Sequence, residues 1–243
     1  MADIDDVERF AGEQAARINY PRLLVWKNVL FHPDETLAAE LKAPSLKRGA
    51  KDTFTAFYAY ILVFLLAYVL IYGLMFGALF GFVGITSGNF QMCAWPLVGI
   101  AVGIVAAVLL AGIFSAFAVA GWLINSAIEF ALARLLGGKG SFTANAHLYA
   151  VINAAMYVAF IPFIIVMFIP CIGTIFSSLM MLLSIYSIYL KYKAVRMVHG
   201  LSQKRALAVV LIPVLFALLV AAAMFVAYFV FIFAAVGMGA GGH

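Results

Sequence analysis

WPLVGIAVGIVAAVLLAGIFSAFAVAGWLINSAIEFALARLLGGKG, residues 95–140, is the stretch on which the fold turns. From Trp95 to Leu136 it is almost unbroken apolar sequence, long enough for one extended helix or two short spans. One helix crosses a bilayer with about 20 apolar residues. Three further apolar blocks flank it, at 54–84, 147–196 and 206–236. The block at 147–196 is interrupted by Pro170-Cys171-Ile172-Gly173 and reads as two spans joined by a tight turn. The total is therefore five or six crossings, and the charges decide between them.

With residues 95–136 taken as one span and its inner extension, and the amino terminus inside, segments 1–53, 134–146 and 191–205 share the inner side. Together they hold all 15 Lys and Arg residues, and the opposite segments 85–95, 170–173 and 237–243 hold none. A split block would send Arg134, Lys139, Lys191, Lys193, Arg196, Lys204 and Arg205 to the outer side, against the positive-inside rule. The expected fold is an all-α, polytopic membrane bundle of five helices, N-in and C-out. Its spans are 54–84, 96–120 with an inner extension to 136, 147–169, 172–195 and 206–236. A short helical cytosolic region, 1–53, precedes them and a short outer tail, 237–243, follows.

Composition agrees. Of the 243 residues, 67% are hydrophobic and 10% charged, against about 45–50% and about 25% in a soluble domain. Mean hydropathy is +1.12. A soluble enzyme, a disordered chain and a disulfide scaffold are excluded. The net charge of +5 is what basic inner loops produce and does not point to nucleic acid. The start MADIDDVERF lacks the apolar run of a signal peptide, and the end GMGAGGH carries no lipidation signal.

The amino-terminal region is mixed in sign and contains nine of the ten acids. Within it, Leu23, Leu24, Trp26, Val29, Leu30 and Phe31 cluster between Arg22, Lys27 and His32. This cluster either lies in the membrane interface, with Trp26 as an anchor, or packs against the loops of the bundle. His32-Pro33-Asp34-Glu35-Thr36 reads as a helix start, and Ala43-Pro44 ends that helix.

Few groups in the apolar blocks can carry chemistry. Glu129 is the one acid outside the amino-terminal region. It is four residues from Asn125 and is expected at the water boundary, met by Arg134, Lys139 or solvent, or else touching a partner or headgroup. Gly73, Gly77 and Gly81 form two overlapping small-xxx-small units, and Gly99 and Gly103 repeat the spacing. They either pack spans one and two together or form a homo-oligomer interface. Gly137-Gly138-Lys139-Gly140-Ser141 fails the phosphate-loop pattern, with Ala133 and Gly140 in the wrong places, and reads as a turn that Ser141 or Thr143 caps. His32, His147, His199 and His243 lack metal-ligand spacing, so no metal, cofactor or catalytic set is expected. Cys93 and Cys171 both fall on the expected outer side, as free thiols or as a disulfide.

Three features resemble the Yip1-domain family. They are the five-span plan behind a polar amino terminus, the run Leu136-Gly137-Gly138-Lys139-Gly140-Ser141-Phe142, and the run Val195-Arg196-Met197-Val198-His199-Gly200-Leu201-Ser202 before Ala206-Leu207. The Pro33 helix followed by Pro44 looks like the lead-in of prokaryotic members. Eukaryotic members bind prenylated Rab GTPases in vesicle transport and carry a DLYGP-type motif, which this chain lacks, so a Rab partner does not carry over. The resemblance implies no catalytic residues. The expected role is a non-enzymatic scaffold or adaptor in the cell membrane. Lys191, Lys193, Arg196, Lys204 and Arg205 are then placed to contact anionic lipid or a cytosolic protein partner. The alternative is a transporter or channel component, suggested by glycine-rich spans and by Pro162, Pro170 and Pro213.

Overall fold

The structure is a computed structural model that describes residues 21–89, 91, 94–169 and 172–240. Among these it contains seven helices and no strand: α1 (Arg22–Phe31), α2 (Pro33–Leu41), α3 (Leu46–Ser87), α4 (Trp95–Leu135), α5 (Phe142–Met167), α6 (Ile172–His199) and α7 (Gln203–Ala240). The last five are each long and apolar enough to cross a membrane. Cys93 and Cys171 lie outside the described residues.

Local chemistry sets the helix ends. Pro33 occupies the first turn of α2, where its missing N–H costs nothing. Ser45 caps α3 by accepting from the Arg48 backbone N–H at 3.3 Å. Ser141 caps α5 by accepting from the Ala144 N–H at 3.2 Å. At the α5–α6 turn, a Cβ on Gly173 would sit 2.3 Å from the Met167 carbonyl oxygen, so a side chain is excluded there.

Several helices differ in extent from the expected spans, whereas α4 agrees with its block and inner extension. α3 begins at Leu46 rather than at 54, because Ser45 starts the helix and the polar turn Lys47–Asp52 continues into the span. α4 runs 41 residues, which at 1.5 Å per residue is about 60 Å and twice the hydrocarbon thickness. Its last third, from Trp122 on, therefore projects beyond the apolar span, as the expected inner extension. α7 continues to Ala240, past the expected start of a tail at 237.

α5 is the hub. It packs against α1, α2, α3, α4 and α6. Its amino-terminal half, Ala144–Met156, is buried on nearly every side and is rich in alanine. Small side chains let neighbours approach closely: a Cβ on Gly49 of α3 would lie 3.0 Å from both Ala150 and the Trp122 ring. The Trp122 indole N–H donates to the Ala146 carbonyl at 2.8 Å, so the α4 extension is pinned to the same place. Farther along, Tyr157 meets Phe57 with ring centroids 5.0 Å apart, and Phe163 meets Phe176 at 5.7 Å.

The glycines of the first two spans divide. An added Cβ on Gly73 would lie 2.5 Å from Ile100 of α4, and one on Gly103 would lie 2.8 Å from Val69 of α3. At Gly77 the approach loosens to 3.4 Å from Pro96, and at Gly81 and Gly99 an added Cβ has room. Gly73 and Gly103 are thus packing positions between α3 and α4 of one chain. Gly73→Leu is expected to lower thermal stability in detergent by about 1–3 kcal/mol, the usual cost of overpacking. Gly99→Leu should leave the melting temperature unchanged.

Candidate functional site

The amino-terminal helices are fastened to the bundle by a buried ionic network. Arg22 of α1 grips Asp52 of α3 with two guanidinium nitrogens, the Nε contact measuring 2.9 Å. Its third nitrogen reaches Glu40 of α2 at 3.0 Å. The other Glu40 oxygen lies 2.8 Å from His147 Nε2 on α5 and 3.7 Å from Arg48 of α3. Asp52, Glu40 and His147 are all buried. Buried charges persist only when paired, and here one carboxylate joins four helices. Burial pushes the Glu40 carboxyl up, but His147 and Arg22 together outweigh that and hold it below its ordinary value of 4.5. Burial opposes the charge on Arg22 as well, and the contacts with Asp52 and Glu40 overcome it and raise its pKa.

A second meeting point joins the two short motifs. The Lys139 backbone N–H donates to the His199 carbonyl at 3.2 Å. A Cβ on Gly140 would lie 2.4 Å from the Val198 carbonyl oxygen, and one on Gly138 would lie 2.9 Å from His199 Cβ. Gly137 has φ +91° and Gly200 has φ +63°, left-handed values that suit glycine. The Arg205 guanidinium donates to the Leu136 carbonyl at 3.3 Å and closes the clasp from α7. The glycines of the α4–α5 loop therefore serve backbone contact with the end of α6.

The cations proposed from sequence gather at this same end but differ in environment. Lys193 pairs with Asp34 at 2.7 Å, Lys191 lies 5.4 Å over the Tyr149 ring, and Arg196 donates to the Tyr192 hydroxyl at 3.2 Å. Arg196, Lys204 and Arg205 are exposed, together with Lys27, Lys51, Arg134 and Lys139.

One placement is decided and one requires correction. Of the two placements open to Trp26, it takes the one packed against the bundle, buried among the residues that surround α5. Glu129 is not at a water boundary. It is 5% exposed, one carboxylate oxygen has no hydrogen-bond partner among the described residues, and the charge acting on it is Lys191 rather than Arg134 or Lys139. Helix packing explains both, since α1 and the α4 extension pack against α5 instead of standing free.

The sequence model of the Yip1 domain matches residues 27–225 and so spans both motifs, the hub helix and most of the chain. The chain belongs to the Yip1 domain family. No curated protein and no solved structure matches it. The Yip1 family is not known as an enzymatic one, and its match with the five apolar helices makes this a multi-pass membrane protein.

The Arg22–Glu40–Asp52–His147 network is absent from the sequence reading, because its members are scattered over the chain without a motif. The one sign was His147, an ionisable side chain opening an apolar run. Two outcomes test it. Arg22→Ala leaves two buried carboxylates short of their cation and should cost about 3–5 kcal/mol, seen as early proteolysis of α1 and α2. Because the folded-state value of Glu40 is lowered, its contribution should be intact above pH 4.5 and lost as pH falls through that lowered value. Glu40→Gln should flatten this acid limb in a melting series.

Proposed function

We propose that this Yip1 domain protein is a non-enzymatic scaffold of the cell membrane, with its basic end in the cytosol and the end of α7 outside. The basic end engages anionic lipid headgroups and, through them or directly, a cytosolic protein. The observation that carries this reading is the fastening of α1 and α2 to α3 and α5 by the buried network. It makes residues 22–52 a rigid platform. On that end the exposed Arg134, Lys139, Arg196, Lys204 and Arg205 come from three helices and one loop. Each such cation near an anionic surface contributes about 1 kcal/mol of attraction.

The transport reading draws less support. α5 and α7 run continuously through Pro162 and Pro213, so neither forms the broken helix that lines many transporter sites.

Charge reversal provides the test. The exposed pair Arg196→Glu and Lys204→Glu, introduced together, should keep the melting temperature while releasing proteins that co-purify from native membranes. It should also weaken enrichment of anionic lipid around the purified protein. Unchanged co-purification and unchanged lipid enrichment would refute the platform. Solute flux through proteoliposomes of the wild-type protein would favour a transporter instead.

A further inference from the structure

α1 has two faces, and among the described residues the bundle covers only one. Trp26 and Val29 are buried toward α5. Leu23, Leu24 and Phe31 are 59%, 40% and 68% exposed, and Lys27 is exposed between them. Leu23, Lys27 and Phe31 are spaced four apart and so form one stripe.

The anchors of α1 fix its level against the spans. At its start, Arg22 holds Asp52, two residues before the apolar block that opens at Phe54. At its end, the Tyr186 hydroxyl donates to the Leu30 carbonyl at 2.8 Å. Tyr186 precedes Lys191 on α6 by five residues, about 7–8 Å toward the apolar side. It belongs to a row with Tyr189 and Tyr192, whose rings follow one another at 6.0 and 6.5 Å. Tyrosines of this kind mark the headgroup level. From there the chain climbs through His32 and Pro33 to Asp34, which pairs with Lys193. Both ends of α1 therefore sit at the border between apolar span and basic end, and the helix between them lies along that border.

We infer that α1 is an interfacial helix, with Leu23, Leu24 and Phe31 seated in the headgroup–acyl boundary of an anionic bilayer. Interfacial helices bury their apolar face about 5–10 Å into that boundary, and the level of Leu30 beside Tyr186 matches this depth. Lys27 lies in the apolar stripe and extends its ammonium to lipid phosphates while its stem stays with the leucines. The helix thus joins the ionic network to the lipid surface: one face is held by the protein and the other by the membrane. This inference rests on the basic end lying at a membrane surface and is independent of any protein partner there.

The test uses the full chain with Cys93→Ser and Cys171→Ser, reconstituted in phosphatidylcholine vesicles containing phosphatidylglycerol. An environment-sensitive fluorophore is attached in turn at Leu23→Cys, Phe31→Cys and Lys139→Cys. Labels at 23 and 31 are expected to emit to the blue of the label at 139. They should be quenched by nitroxide lipids and shielded from aqueous iodide, while the label at 139 should be quenched by iodide. Iodide quenching at 31 without lipid quenching would overturn the proposal, since the face would then meet water. Shielding from both quenchers would also overturn it, showing a protein cover; deletion of residues 1–20 would then tell that segment from a second copy. Lys27→Glu, at an exposed position, should reduce lipid quenching at 31 in anionic vesicles but not in neutral ones. If charge reversal at Arg196 and Lys204 leaves partners bound while these labels still report lipid, the platform reading fails and the interfacial helix stands.

Discussion

A carboxylate taken out of water has to be met by opposite charge and hydrogen bonds, and Glu40 is met from three sides. Arg22, Arg48 and His147 converge on it from α1, α3 and α5, and Arg22 also carries Asp52. The desolvation of such a group is several kcal/mol, repaid only when every partner is in place. The network therefore behaves as one unit, and it sets where the polar region ends and the membrane bundle begins. Hydrophobic attraction cannot do this in a bilayer, where lipid is as apolar as any side chain. Specific polar contacts at the water-facing end supply the missing direction.

The hub helix explains why the network has somewhere to sit. The first half of α5 combines alanines with His147, Asn145 and Tyr149. Alanines bring α1, α3 and the α4 extension close enough for their backbones and rings to touch α5, as Gly49, Trp122 and Ala150 show. Close approach in turn excludes water from the polar positions, and two of the three side chains find a partner within the protein, while the Tyr149 hydroxyl has none among the described residues. Asn145 finds the Ser126 carbonyl at 3.3 Å, and His147 finds Glu40. The same packing holds the α4–α5 loop against the end of α6, where a side chain on Gly138 or Gly140 would collide.

The spans were legible because lipid imposes a coarse rule. A stretch of apolar residues near bilayer length, with basic residues confined to one side, leaves few topologies. The Pro170–Gly173 break and the Ser141 cap are equally local signals, whereas the Ser45 cap that starts α3 emerged only in the structure. The small-xxx-small spacing was visible too, but spacing alone does not say which glycines touch. Gly73 and Gly103 lie at the crossing of α3 and α4, while Gly99 lies off it. The polar site was mostly hidden. Arg22, Glu40, Asp52 and His147 are ordinary charged residues in a mixed-sign stretch and one histidine among four, and no periodicity links α1 to α5.

By itself, the sequence determined that this chain crosses a membrane, how many helices do so, and that its positive charge gathers at one end. Those features follow from hydropathy and charge, which act residue by residue. Only the tertiary structure decided which face of α1 is buried, that Glu129 on the α4 extension is buried near Lys191, and that four helices share one carboxylate. Those features depend on which side chains lose water together. Water is lost at contacts between distant segments, and the order of residues along the chain does not record them.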